Sequence, residues 1–319
     1  MVKIGCEYFM VETIIKPEIL VLMSTYNGEK YLEEQLESIK NQEGVNVHCL
    51  IRDDGSTDKT IQILSEYCSR HPEFQFYSGK NIGVVESFNE LINNDIVTNY
   101  DWVSFCDQDD VWLKKKLIIA IEVLKKEPNN MLPLLYCSNL TTVDKNLQKI
   151  GMKWNKNPKF NKSTALVQNI ATGCTEVFNR PAVYLYRKGI GLHMEFHDYW
   201  MFLVCIYMGK VIYDPNSQIF YRQHNANVVG AKEKKFYSAF RHLVEQRGRG
   251  GNRQIALKDF LECYSSSLSN VEISMISHLV NYKRSIVSRM FLVLSPKYKG
   301  SLWKVTIGFK VRALTGTIY

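Results

Sequence analysis

The chain has 319 residues, 45% of them hydrophobic and 23% charged, so it is long enough to bury a full α/β core with a second element to spare. No apolar run approaches the roughly eighteen residues of a spanning helix, the first residues lack a signal-peptide pattern, and none of the eight cysteines forms a Cys-x-x-Cys pair, which leaves buried free thiols in a reducing cytosol as the expectation. The net charge of +8 is uneven: residues 1–230 hold 24 Lys and Arg against 27 Asp and Glu, whereas residues 231–319 hold 16 against 5, with no acidic residue after Glu272.

Residues 1–18 read as an extension. Ile19 to Ser24 is a continuous apolar run, as expected of a strand covered on both faces, and it breaks at Thr25-Tyr26-Asn27-Gly28. Tyr31, Leu32, Leu36 and Ile39 then fall at helical spacing. Val47 to Arg52 predicts a second strand, ending at Asp53-Asp54-Gly55-Ser56-Thr57-Asp58. A helix follows through Ile61, Leu64 and Tyr67, capped by Thr57 or Asp58. Phe74 to Tyr77 is a third strand, and Asn81-Ile82-Gly83 leads into a helix through Phe88 and Ile92. The run Trp102 to Cys106 delivers Asp107-Gln108-Asp109-Asp110, with a helix expected from Leu113 to Lys126. Beyond it, Leu134 to Cys137 and Ala171 to Phe178 look like strands, and Lys145 to Lys162 looks like a loop. His197-Asp198-Tyr199-Trp200 opens an apolar helix to Met208; Val211 to Tyr213 and Ile219 to Arg222 are two short strands.

Strand and helix alternating at this spacing predict βαβ units and a largely parallel sheet, whose ligands sit off the carboxyl ends of the strands. Three polar clusters end strands here, at Thr25-Tyr26-Asn27, Asp53-Asp54 and Asp107 to Asp110, so they should share one crevice. Crowded carboxylates repel unless a cation sits among them, and oxygen ligands suit Mg²⁺ or Mn²⁺. Asp107 and Asp109 therefore look like a clamp for a metal that holds a diphosphate. The competing reading is an acidic turn with Asp110 as a helix cap. Neither a Gly-x-Gly-x-x-Gly turn nor a P-loop is present.

In order along the chain, Ser24-Thr25-Tyr26-Asn27-Gly28, Asp53-Asp54-Gly55-Ser56-Thr57-Asp58, Asn81-x-Gly83, Asp107-Gln108-Asp109-Asp110 and His197-Asp198 resemble the family 2 glycosyltransferases. The resemblance covers residues 19–230 and implies a GT-A fold that binds a nucleotide-sugar donor, with residues 231–319 as a basic helical C-terminal region. It implies that Thr25, Tyr26 and Asp53 meet the base and ribose, together with Asn27 and Asp54 beside them, and that Asn81 lines the nucleotide pocket. Asp107 and Asp109 would be the aspartates of the family's Asp-x-Asp motif, and Asp198 the catalytic base. The Gln-x-x-Arg-Trp motif of processive synthases is absent. Cys106 to Trp112, His197 to Trp200 and Tyr221 to Gly230 are similar to bacterial rhamnosyltransferases that use dTDP-L-rhamnose to build cell-wall or capsular polysaccharide.

Transfer requires neutralising the leaving diphosphate, taking a proton from the acceptor hydroxyl, and holding the two in line. For each residue a simpler role competes. Asp198 suits an N-cap as well as a base. His224 is either a third metal ligand, with Arg222 pairing phosphate, or a surface histidine. His197 and Trp200 are placed on the acceptor side, although Trp200 also suits the core.

In the tail, Ile276, Leu279, Val280, Ile286, Val287, Met290, Phe291 and Leu294 follow helical spacing with Lys283, Arg284 and Arg289 between them. Lys297, Lys299, Lys304, Lys310 and Arg312 come after. This pattern reads either as a helix on an anionic membrane surface, where the lipid-linked undecaprenyl-type acceptor that the resemblance implies would sit, or as one packed on the body. The expected site is thus the inner face of the bacterial cytoplasmic membrane, with no nucleic-acid partner. Two rival readings are a UDP-galactose or UDP-N-acetylhexosamine transferase of the same fold, and a non-catalytic nucleotide- or RNA-binding protein that uses the basic tail on phosphates.

Overall fold

A computed structural model describes residues 15–224 and 252–318. Its centre is a nine-stranded sheet. The strands are β1 (Glu18–Thr25), β2 (Asn46–Asp53), β3 (Phe74–Ser78), β4 (Trp102–Cys106), β5 (Val111–Trp112), β6 (Leu134–Val143), β7 (Lys149–Met152), β8 (Val177–Asn179) and β9 (Lys210–Arg222), in the order β3-β2-β1-β4-β8-β6-β9-β5, with β7 on β6. The block β3-β2-β1-β4 is wholly parallel, and the β6–β9 ladder is parallel too.

The apolar run of β1 belongs to two cores because successive side chains leave a strand on opposite faces. Ile19, Val21 and Met23 join Leu36, Leu64 and Leu117 on the layer of α1 (Leu32–Lys40), α2 (Thr60–Arg70) and α4 (Lys116–Lys125). Leu20 and Leu22 join Phe88, Phe105 and Leu203 on the layer of α3 (Val84–Asn93), α6 (Arg180–Arg187) and α7 (His197–Met208). Parallel strands covered on both faces put their carboxyl ends in one row, which positions the site.

Four elements differ from the sequence expectations. The run 171–178 is a strand only from Val177, because residues Gly173–Thr175 form a 3₁₀ turn that brings a backbone amide to Asp198. The two short strands after Met208 are one, β9; its register against β6 slips near Pro215, which has no N–H to give the ladder, and then resumes. The stretch 145–162 contains β7, paired antiparallel with β6. Asp110 caps no helix: the chain passes from it into β5, and α4 begins at Lys116.

The C-terminal region is helical, with α8 (Asn252–Tyr264), α9 (Asn270–Asn281), α10 (Ile286–Leu294) and α11 (Trp303–Thr315), and α5 (Lys162–Val167) of the body touches α8 through Arg253 and α9 through Glu272. Ser269 and Glu272 form a capping box on α9. Leu257, Phe260, Ile276 and Leu279 are buried against the body, Lys162 pairs with Glu272 at 2.5 Å, and Arg253 pairs with Glu195 just ahead of α7. So α8 and α9 are packed on the body. Residues 1–14 and the Asn225 to Gly230 part of the rhamnosyltransferase-like signature lie outside the described residues.

The seam between α7 and β9 is tight. A Cβ on Gly209 would lie 1.8 Å from the Pro133 carbonyl oxygen, which is backbone and cannot swing away. Gly209→Ala is expected to destabilise the fold by about 1–3 kcal/mol, read as a lowered denaturant midpoint at unchanged slope.

Candidate active site

The ends of β1, β2 and β4 are tied into one crevice by named bonds. Thr25 Oγ1 donates to Asp53 Oδ1 (3.1 Å), and the Asp54 amide donates to the Thr25 carbonyl (2.8 Å). Gln108 grips Tyr26 twice, its Oε1 accepting from the Tyr26 amide (2.9 Å) and its Nε2 donating to the Tyr26 carbonyl (3.0 Å). The neighbouring Gly28 makes room for this grip, since a Cβ there would lie 2.3 Å from Gln108 Oε1. Tyr26, Asn27 and Asn81 are exposed on this rim; Asn27 holds a left-handed backbone (φ 48°), and its Oδ1 accepts from the Thr57 amide.

The two aspartates after β2 have separate roles. Buried Asp53 accepts from Thr25, the amides of Gly55 and Ser56, and the hydroxyls of Ser56 and Ser78, so it organises the turn that follows β2. Buried Asp54 binds Arg52 (2.6 Å) and the amides of Ile82 and Gly83 (2.8 and 2.9 Å). Asp54 therefore holds the loop that carries Asn81, and its two oxygens are occupied by protein groups rather than turned to the crevice.

The acidic stretch is the electrostatic centre. Burial raises the Asp107 carboxyl to about 7, and the charges of Asp109 and Asp198 contribute to the rise. Asp107 thus feels both the other half of the expected clamp and the expected base. Asp109 is held by His224, whose Nε2 lies 2.7 Å from Asp109 Oδ2, with Tyr31 packed on the imidazole at 5.1 Å. Asp110 is fully buried and pushed well upward by burial and by Asp109 and Asp107, and its Oδ1 accepts from the Arg222 amide (3.0 Å). Glu176, also fully buried and without a hydrogen-bond partner on either oxygen among the described residues, is likewise pushed up by burial.

Behind these acids sits Lys116, fully buried, its ammonium 3.5 Å from the Trp112 ring centroid and 3.4 Å from Ser104 Oγ. Burial lowers it to about 8, opposed by Cys106, Cys174, Asp110 and Glu176.

Asp198 lies at the second position of α7, whose cap residue is Phe196, so it is not the helix cap. Its Oδ2 accepts from the Gly173 amide (3.1 Å) and its Oδ1 from the amide of its neighbour Tyr199. Burial raises its carboxyl while the nearby Lys153 ammonium and these amides hold it down. A Cβ on Gly173 would lie 3.0 Å from His197 Nε2 and 3.3 Å from Asp198 Cβ, so glycine lets the turn lie this close.

Three expected site residues have other work. Trp200 is 1% exposed and packs edge-on to Phe260 and beside Tyr264; it is a core residue and not an acceptor platform. His197 is buried, stacked on Phe88 (3.8 Å) with Phe105 edge-on, and burial drops it to about 3, so it is neutral and walled in rather than acceptor-facing. The Arg222 fork donates to the carbonyls of Asp109 (2.9 Å) and Lys145 (2.8 Å) and pairs with Glu34, which makes it the strut of the acidic loop.

Two residues escape sequence reasoning. In sequence Gln108 is only the spacer between aspartates, and Lys153 lies in a stretch that reads as loop; β7 pairing is what brings that lysine toward Asp198. No sequence signal marks Lys153, whereas an amide among acids at a strand end is a usable hint for Gln108.

The donor set can be weighed for a cation. Ligating atoms of Asp107, Asp110 and Cys174 lie within 4.8 Å of one another, but the Cys174 thiol is pushed well up by burial and Asp110 is sealed in, which suits a protonated, closed cluster. Asp107, Asp109 and His224 are partly open, and two of them supply the hard oxygens that Mg²⁺ or Mn²⁺ prefers.

A curled, mostly parallel sheet with carboxylates along its strand ends is the GT-A architecture of sugar-transferring enzymes. Residues 20–184 match the Glycosyl transferase family 2 model, and the chain belongs to that family. It is 31% identical over 220 residues to the dTDP-rhamnosyl transferase RfbG of Shigella flexneri, covering 66% of this chain and 74% of that one. It is 22% identical over 236 residues to the putative glycosyltransferase EpsH of Bacillus subtilis, covering 72% and 67%. Among solved structures, S. aureus TarS 1-349 in complex with UDP-GlcNAc aligns over 93% of this chain and 81% of its own, at 14% identity and a TM-score of 0.55. The mannosyltransferase PcManGT from Pyrobaculum calidifontis, in complex with GDP-Man and Mn²⁺, aligns over 96% and 88% at 16% and 0.51. The protein is thus a glycosyltransferase, and the non-catalytic alternative falls.

The raised Asp107 carboxyl sets a pH dependence. Unfolded, the group loses its proton near its ordinary value of 3.8; folded, it keeps the proton to about 7. Between those values the folded chain binds more protons, so this group's contribution to stability falls as pH rises through the window. In metal-free buffer the melting temperature should drop between about pH 5 and about pH 7, and Asp107→Asn should flatten that slope.

Proposed function

We propose that this glycosyltransferase is inverting and uses a divalent metal. In this reading it moves L-rhamnose from dTDP-L-rhamnose to a lipid-linked, undecaprenyl-type saccharide at the inner face of the bacterial cytoplasmic membrane, during cell-wall or capsular polysaccharide assembly. The observation that supports the mechanism is that the tied ends of β1, β2 and β4 carry Asp107 and Asp109, with His224 on Asp109, while the Gly173 amide holds the Asp198 carboxylate at the head of α7. The donor is supported by the 31% identity to a dTDP-rhamnosyl transferase.

In this reading Tyr26, Asn27 and Asn81 on the exposed rim face the nucleoside, with Thr25 and Asp53 shaping the floor beneath it. Asp107 and Asp109, with His224, would hold Mg²⁺ or Mn²⁺, which supplies Lewis-acid neutralisation of the diphosphate. Asp198 takes the proton of the acceptor hydroxyl. As it does so, the acceptor oxygen bonds to the anomeric carbon and the bond to the departing dTDP breaks on the opposite side, so a β-linked donor yields an α-rhamnoside. A carboxyl raised by burial and steadied by Lys153 and two amides is suited to a base near neutral pH.

The test is turnover with a panel of nucleotide sugars. Wild type should release dTDP only from dTDP-rhamnose with metal present, and Asp198→Asn should lose about 10²–10⁴-fold in kcat at unchanged donor affinity. Full turnover by Asp198→Asn would refute the base, and preference for a UDP-sugar would refute the donor.

A further inference from the structure

In sequence, Ile276 to Leu294 reads as one amphipathic stripe, and the structure divides it. Ile276, Leu279 and Leu292 are buried in the body, whereas another set stands in solvent. On α10, Ile286 (77% exposed), Val287, Met290 and Leu294 are exposed, while Ser288 and Leu292 are buried. On α11, Trp303 (69% exposed), Ile307, Val311 and Leu314 are exposed, while Phe309 and Ala313 are buried. At 3.6 residues per turn, each exposed set lies on the side of its helix away from the buried one, so both apolar stripes point away from the body. A shallow groove of about 640 Å³ runs along α10 down to Pro296 and Lys297.

A monomeric soluble protein rarely carries so many large apolar side chains in solvent on adjacent helices. The charges around them are of one sign. Eight Lys and Arg lie between 283 and 319 and no acidic residue does; Lys283, Arg284, Lys297, Lys299 and Lys304 are exposed. Apolar stripes within an all-basic field complement an anionic lipid interface, where the stripes enter the acyl boundary and the ammonium groups meet phosphates. The same field opposes a second copy of this chain, which would bring two basic faces together.

We infer that α10 and α11 form a bilayer-docking wedge that inserts Ile286, Val287, Leu294, Trp303 and Ile307 into an anionic membrane surface, with α8 and α9 as its rigid mount. The proposal rests on the function proposed above for why a membrane should be the partner, and on these two helices for everything else. The mount has fixed attachments: Gln168 at the end of α5 accepts from the Ser301 hydroxyl (2.8 Å), and the Tyr298 hydroxyl donates to the Met275 carbonyl (2.8 Å). The wedge is thereby held to the catalytic body that takes the lipid-linked acceptor.

The experiment is co-sedimentation of the full chain with phosphatidylcholine vesicles, with and without about one-third phosphatidylglycerol. Wild type should pellet with the anionic vesicles and progressively less as salt rises. The double substitution Leu294→Asp with Trp303→Asp, at exposed positions where folding should be kept, should cut the partition coefficient at least about tenfold at an unchanged melting temperature. Asp109→Asn should pellet like wild type, so failure of the catalytic reading would leave the wedge standing. The proposal is overturned if the double variant pellets as wild type does, if neutral vesicles bind equally well, or if sedimentation equilibrium shows a wild-type dimer that these substitutions dissolve.

Discussion

Mutual repulsion among Asp107, Asp109 and Asp110, with the charge of Asp198 also acting on Asp107, is the constraint on which the site depends. The fold brings these carboxyl groups to one place and buries some of them, at a cost that appears as the upward displacement of Asp107, Asp110 and Asp198. The surrounding architecture offsets that cost in layers. Lys116 supplies positive charge from below, Lys153 from the side of Asp198, and His224 pairs with Asp109. Arg222 and Gln108 fasten the acidic loop to its neighbours through backbone contacts and leave the open faces of Asp107 and Asp109 available.

The part of the crevice proposed to take the nucleotide is built on the opposite plan. Asp53 and Asp54 are saturated by protein donors, which makes their turns rigid before any ligand arrives. The two halves of the crevice thus differ in kind. One is preorganised by satisfied hydrogen bonds, and the other is held in an unsatisfied electrostatic state that a bound cation and diphosphate would relieve.

Much of this was legible in the sequence, because period-2 and period-3.6 apolar patterns mark β1 to β4 and their helices, and strand ends in a parallel sheet must face one way. The convergence of Thr25, Asp53 and Asp107 followed from that rule alone. What the pattern could not carry was the burial of polar groups. Arg222, Asp54 and His197 look like ligand-binding side chains in sequence and prove to be internal struts or walls, since nothing local tells whether a charge is matched by a distant partner, as Glu34 matches Arg222 and the amides of Ile82 and Gly83 match Asp54. Trp200 fell to the ordinary preference of indoles for the core. The tail shows a related limit: helical spacing finds an apolar stripe but not which stripe meets the body, and only packing separates Ile276 and Leu279 from Ile286 and Trp303.

We propose that the carboxylate cluster is a cation site that holds a proton when the ion is absent. Its most direct test is calorimetric titration of Mn²⁺ into the chain with dTDP present, near pH 7, in two buffers of different ionisation enthalpy. With the Asp107 carboxyl at about 7, ion binding should displace a fraction of a proton, so the observed heat should depend on the buffer. Asp109→Asn should weaken the ion by at least about tenfold, and Asp107→Asn should abolish the buffer dependence. An ion that binds equally well to Asp109→Asn, or releases no proton from wild type, would contradict the account.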